Sequence, residues 1–215
     1  MIEVIPAIDV ASGRVAQSGG DPLATALDWQ ARGATRLHLV DLDLAYGRGE
    51  NHELIGEVIS RLAIPVQLSG GIASDGPLEF ALSTRAERIV LALADPDWVA
   101  SVVAHSAKGM AVALDVRGDD VRPRGTRASV GKLDELLPRI GARRYVVTDV
   151  ERDGALSGPN LELLRRVRSA TDAALVASGG ISSPEDLEAL AGVAEAAIVG
   201  TALYSGAVSL LNRDL

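Results

Sequence analysis

Eight short apolar runs, each followed by an amphipathic stretch, constrain this chain more than any other feature. The predicted strands span residues 4–9, 36–41, 65–68, 88–91, 111–116, 145–149, 174–178 and 196–200. They are rich in β-branched residues and almost continuously apolar, as strands covered on both faces must be. Between them lie helical patterns. Residues 51–61 place Leu54, Ile55, Val58, Ile59 and then Leu62 on one side. Ser183-Pro184-Glu185-Asp186 reads as an N-cap, a first-position proline and a first turn of acids, with Leu187, Leu190 and Ala191 as the buried stripe that follows. Eight strands alternating with about eight helices predict an α/β chain of (β/α)8 TIM-barrel type. An open doubly wound sheet seldom needs eight equivalent units in 215 residues. No linker-like run interrupts the pattern, so one domain over 1–215 is expected.

The chain also repeats itself. Gln67-Leu68-Ser69-Gly70-Gly71-Ile72 parallels Val176-Ala177-Ser178-Gly179-Gly180-Ile181. Leu39-Val40-Asp41 parallels Val147-Thr148-Asp149, and Ala7-Ile8-Asp9-Val10 parallels Ala113-Leu114-Asp115-Val116. Two (βα)4 half-barrels, about 1–108 and 109–215, account for these matches.

Composition removes several function classes. There is no Cys, which excludes disulfide scaffolds, thiolate metal sites and Cys nucleophiles and points to a cytoplasmic protein. A net charge of −8 and 3% aromatics argue against nucleic acid or a membrane surface as partner. No apolar run is long enough to span a bilayer, and the N-terminus lacks the features of a signal peptide. His38, His52 and His105 have no metal-ligand spacing and read as surface or strand-filling residues; no metal is expected.

In a barrel the active site is the rim at the strands' C-terminal ends. The strands end in Asp9, Asp41, Asp115 and Thr148-Asp149, a ring of polar groups that helix capping explains only in part. The third and seventh end in Ser-Gly-Gly and the eighth in Gly200-Thr201. Gly179, Gly180, Gly200 and Thr201 match a barrel phosphate site, where glycines admit an anion to backbone N–H groups. Gly70 and Gly71 are the symmetry mates, so a small substrate carrying one or two phosphates would lie across the mouth. Asp9 and Asp153, the latter just past the sixth strand, form the acid–base pair over which it would lie.

Taken together, Ile5-Pro6-Ala7-Ile8-Asp9, Leu39-Val40-Asp41-Leu42-Asp43, Ser69-Gly70-Gly71-Ile72, Val147-Thr148-Asp149 with Asp153-Gly154, and Ser178-Gly179-Gly180-Ile181 with Val199-Gly200 resemble the phosphoribosyl isomerases of histidine biosynthesis. Tyr46-Gly47-Arg48-Gly49, Arg144–Val150, Gly158–Leu164 and Ala202–Gly206 are similar to the branch that also isomerises phosphoribosyl anthranilate for tryptophan. The resemblance implies an Amadori rearrangement of an aminoaldose to an aminoketose, without metal or organic cofactor. It implies Asp9 as general base and Asp153 as general acid. Asp115 and Thr148 would orient substrate, Arg124 would bind it, and the six glycine and threonine positions above would hold phosphate. A monomer is expected. The alternatives are a cyclase of the same half-barrel lineage and an inactive phosphosugar-binding barrel.

Three positions depart from that family. The stretch after the first strand, Arg14–Asp21, is short and carries Gln17 where an arginine is usual. Arg88-Ile89-Val90-Leu91-Ala92-Leu93 lacks the Gly-Thr or similar pair that would complete the Gly70-Gly71 site. Thr126 replaces a tryptophan that stacks on the larger substrate. The short stretches read as loop residues missing from the sequence, with true deletion as the alternative.

Overall fold

The structure, a computed structural model, describes residues 2–106, 109–126 and 128–210. The eight barrel strands are β1 (Glu3–Ala11), β2 (Leu37–Asp41), β3 (Val66–Ser69), β4 (Arg88–Ala92), β5 (Gly109–Arg117), β6 (Arg144–Asp149), β7 (Ala174–Ser178) and β8 (Ala196–Val199). Each pairs in parallel with the next, and β8 pairs with β1, so the sheet closes. Closure leaves no strand edge within the ring. This is a (β/α)8 TIM barrel of two half-barrel repeats, as the strand pattern predicts.

Helices follow the strands in turn: α1 (Pro22–Ala31), α2 (His52–Arg61), α3 (Asp75–Ser83), α4 (Pro96–His105), α5 (Leu133–Ile140), α6 (Leu161–Ala170), α7 (Pro184–Leu190) and the one-turn α8 (Thr201–Tyr204). Their apolar stripes bury Ile55, Val58 and Ile59, or Leu133, Leu136, Leu137 and Ile140, against the outer face of the sheet. The Ser183 capping box is present, with Ser183 and Asp186 exchanging side-chain-to-backbone hydrogen bonds. The stripe of α7 is narrower than predicted. Leu190 is buried, but Ala191 is exposed, because the helix stops at Leu190 and Ala191 turns away as its C-cap. Among the described residues, no helix is long and apolar enough to cross a membrane.

β1 and β5 run longer than predicted because each continues into an antiparallel hairpin. Val10 and Ala11 pair with Val15 and Arg14 around a Ser12-Gly13 turn. Val116 and Arg117 pair with Val121 and Asp120 in the matching place. The backbone through Arg14–Asp21 is continuous and hydrogen-bonded: Ala16 N–H donates to the Asp9 carbonyl, and Gly19 N–H to Val15. The short stretch is therefore a folded turn.

A second, smaller core fills the barrel itself: Ile5, Ala7, Val90, Ala111, Val146, Val176, Ala196 and Ile198. β2 and β3 contribute none of these; their inward positions carry His38 and Gln67.

Candidate active site

Above the inner core lies a cavity of about 370 Å3, open at the strands' C-terminal ends. Strand alternation decides what reaches it. Asp9 is two residues beyond Ala7 on the inward face of β1, as Asp115 is beyond Ala113 and Thr148 beyond Val146. Asp41 and Asp149 sit one residue out of step and face the helices. Asp41 accepts from the N–H of Leu44 and from Asn51; Asp149 accepts from Asn160 Nδ2 at 2.7 Å. The predicted ring of polar groups thus separates into caps and cavity groups.

All the sequence-predicted site residues line this one cavity: the carboxylates Asp9, Asp115 and Asp153, then Arg124 and Thr148, and on the two flanks Gly70-Gly71 and Gly179-Gly180 with Gly200-Thr201. Two of the glycines could be nothing else. A Cβ on Gly70 would stand 2.3 Å from the Asp41 carbonyl oxygen, and one on Gly180 2.3 Å from that of Gly158. Both have positive φ.

Arg124 ties the carboxylates together. Its Nη2 lies 2.6 Å from Asp153 Oδ2, its Nε is 4.0 Å from Asp115 Oδ1, and its backbone N–H hydrogen-bonds the Asp115 side chain. Burial acts to lower the affinity of Arg124 for its proton, but Asp115, Asp153 and Asp9 together reverse this and hold the guanidinium firmly charged. Burial pushes the Asp9 carboxyl up from the usual carboxylate range. Arg124 and Gln17 oppose that shift, and the nearby charge of Asp153 adds to it. Burial likewise raises Asp115, against the pull of Arg124 and a hydrogen bond from Thr148.

Gln17 is a site residue that sequence reasoning passed over as a mere replacement. The β1 hairpin brings its Nε2 to 2.7 Å from Asp9 Oδ2, while its Oε1 accepts from Asp9 N–H at 3.4 Å. His38, read from sequence as unremarkable, also lines the cavity. The available signal was its place on an inward-facing strand position. His52 lies against Phe80 in a ring stack, and His105 ends α4.

The two flanks differ. By register, Gln67 pairs with Arg88 and Val176 pairs with Ala196. Ala92-Leu93 thus occupies the place of Gly200-Thr201. Ala92 N–H is taken by the Ile72 carbonyl at 2.9 Å, and Leu93 is buried. The N–H groups of Gly200 and Thr201 have no hydrogen-bond partner among the described residues.

A family model described as "Histidine biosynthesis protein" matches residues 3–209. A relative from Frankia alni, named 1-(5-phosphoribosyl)-5-((5-phosphoribosylamino)methylideneamino) imidazole-4-carboxamide isomerase, is 49% identical over 97% of this chain and 93% of its own length. A protein of the same name from Thermobifida fusca is 49% identical over 98% of this chain and 94% of its own. "Phosphoribosyl isomerase A" from Streptomyces coelicolor is 48% identical over 97% and 95%. These alignments run over 227 to 230 positions, more than the 215 residues present here, so this chain is the shorter partner in each.

Proposed function

The chain belongs to the histidine biosynthesis protein family, whose relatives are isomerases of phosphoribosyl compounds, and on that premise we propose that it converts the phosphoribosylamino end of their imidazole carboxamide substrate from aldose to ketose. The observation that carries this reading is that Asp9 and Asp153 line one cavity, with Arg124 paired to Asp153 and glycine pairs on both flanks.

In the proposed reaction Asp153 protonates the ribose ring oxygen, and the C1′–O bond breaks as the amine lone pair forms a protonated imine. Asp9 then removes the C2′ proton, leaving an enolamine that tautomerises to the aminoketone. The protonated imine accepts the electron pair, so these side chains suffice. Asp9 can act as base only when ionised. Gln17 favours that form by donating to Oδ2, and Arg124 favours it by charge. Arg124 is paired with Asp153 in this geometry. An anionic group of the substrate that draws Arg124 to itself leaves Asp153 beside Asp9 without that cation. Freed from that pair, the Asp153 carboxyl can turn to the ribose ring oxygen. The Gly179-Gly180 and Gly200-Thr201 flank would hold the phosphate through free N–H groups, with Gly70-Gly71 as the second anion site. Asp115 and Thr148 would orient the sugar.

The unequal flanks favour a second substrate alongside the first. With Ala92 N–H already engaged and Leu93 in place of a threonine, the Gly70 side offers fewer donors to an anion. A substrate with a single phosphate, such as phosphoribosyl anthranilate, would need only the Gly179 side. The chain is also proposed to act on that compound, as a cytoplasmic monomer.

The test is Asp9→Asn. It should lower turnover of either substrate by about 10²-fold or more while the circular dichroism spectrum stays unchanged. Near-normal turnover would remove Asp9 as the base.

A further inference from the structure

We propose that His38 contacts the substrate, donating Nε2–H as a neutral imidazole to an uncharged oxygen of the phosphorylated sugar, and that Gln67 and Arg88 are the positioning residues that fix this donor. The inference rests on the isomerase reading above and extends it to residues with no assigned role.

The three side chains form a buried row inside the barrel, on adjacent strands β2, β3 and β4. Arg88 Nη1 donates to Gln67 Oε1 at 2.8 Å, and Gln67 Nε2 lies 2.9 Å from His38 Nδ1. Gln67 is wholly enclosed, and His38 and Arg88 are 6% and 8% exposed.

The chemistry of the row allows one arrangement. A guanidinium only donates, so the Gln67 atom facing Arg88 must be the amide oxygen. The amide NH2 then faces His38, and it only donates. Nδ1 must therefore accept, and the ring proton is on Nε2. A second proton would have to go on Nδ1, against the amide hydrogens. Burial, Arg124 above and Arg88 below also oppose it, and together they push the His38 pKa down to about 3. The residues facing the ring from the neighbouring strands, Ala7 on β1 and Gln67 on β3, bring no carboxylate to it. Nε2 has no hydrogen-bond partner among the described residues, and it is not one of the enclosed polar atoms left without one. It faces the cavity that His38 lines.

The fold does not require this row. By the internal repeat, the counterparts of His38, Gln67 and Arg88 are Val146, Val176 and Ala196, all apolar members of the inner core. The second half-barrel closes on hydrocarbon at the same height. Burying three polar side chains where apolar ones serve carries a desolvation cost. That cost is consistent with a role at the cavity floor. A neutral donor there suits an oxygen that is uncharged before and after the reaction: that of the C2′ hydroxyl, which gives up its own proton as it becomes the ketone.

The test uses the intact chain labelled with 15N-histidine. Between about pH 5 and pH 8, where an ordinary histidine titrates, His38 should stay neutral with Nδ1 unprotonated. Ribose 5-phosphate should shift its Nε2–H resonance. His38→Leu should lower kcat by about 10²-fold, the usual cost of one lost donor at a reacting oxygen, with a smaller effect on KM. Gln67→Glu, which offers His38 an acceptor, should move the proton to Nδ1 and lower kcat similarly. A His38 that titrates as a cation in that range, an Nε2–H unmoved by ribose 5-phosphate, or a His38→Leu enzyme with wild-type kcat/KM would overturn the proposal. Asp9→Asn in the same assay separates the two readings. If it is inactive while His38→Leu is fully active, the isomerase stands and the donor falls.

Discussion

At the scale of single residues, the site works by setting buried carboxylates against one arginine. Gln17 is the adjustable member. It donates to the ionised form of Asp9, so its loss removes a stabiliser of that form and raises the pKa further. Activity that needs ionised Asp9 is lost as pH falls through that pKa. Gln17→Ala should therefore shift the acidic limb of kcat/KM upward by about one pH unit, the worth of one charge-assisted hydrogen bond. A pH–rate profile of the two enzymes measures it. The sign for stability is the opposite of that for activity. Because the folded-state pKa of Asp9 is raised, its contribution to stability is fully present only below the unfolded pKa and is lost as pH rises through the folded one. Asp9→Asn should then melt at an equal or higher temperature at neutral pH while turnover collapses, which a thermal scan checks. Asp9, Asp115 and the glycine pairs were readable in sequence because polar residues interrupt apolar runs at fixed places. Gln17 and His38 were not. One depends on the path of a turn, and the other on which way a strand residue faces.

At the scale of elements, the two half-barrels share a plan and differ in detail. The hairpins after β1 and β5 are matched: Ala16 N–H meets the Asp9 carbonyl, and Arg122 N–H meets that of Asp115, both at 2.8 Å. One hairpin delivers Gln17 and the other Arg124. The loop ends after β4 and β8 are where the halves diverge, and there two variants are informative. Gly180→Val places a branched side chain at φ +80° against the Gly158 carbonyl. It should cost about 1–3 kcal/mol of stability and weaken inorganic phosphate binding, read by denaturant melts and calorimetry. Ala92→Gly with Leu93→Thr restores on the Gly70 side what the other flank has. It should improve kcat/KM for the two-phosphate substrate relative to the one-phosphate substrate, at a stability cost of about 2–3 kcal/mol for the lost leucine contacts. An unchanged ratio would show that the flank has no part in substrate choice. Strand positions were legible because burial on both faces leaves a plain apolar signature. Strand ends were less so, since hairpin pairing extends β1 and β5 beyond it, and the α7 stripe was overrun because a helix end is set by its cap.

At the scale of the whole molecule, ring closure couples the halves. β4–β5 and β8–β1 join residues before and after the midpoint, and Tyr204 reaches back to hydrogen-bond the Ala7 carbonyl at 3.0 Å while Trp29 meets it edge-on. Neither half has its strand edges satisfied alone, which supports a single folding unit over the chain. Both tryptophans, Trp29 and Trp98, lie in the first half. Urea unfolding followed by their fluorescence should coincide with that followed by far-ultraviolet circular dichroism, which reports both halves. Two separated transitions would mean that the halves unfold independently. The barrel and its repeat were visible in sequence, because matched segments recur in the same order; the polar row of β2–β4 was hidden because each of its members stands alone in an apolar strand.

The Ser12-Gly13 turn has one more consequence. Ser12 N–H is held by Asp43 at 2.6 Å and Gly13 N–H by Asn51 at 3.2 Å, so the hairpin is pinned to the neighbouring loop at its tip. That flank of the mouth cannot swing over a bound molecule without surrendering both tethers. On this side, closure over a ligand would have to begin by breaking these two hydrogen bonds.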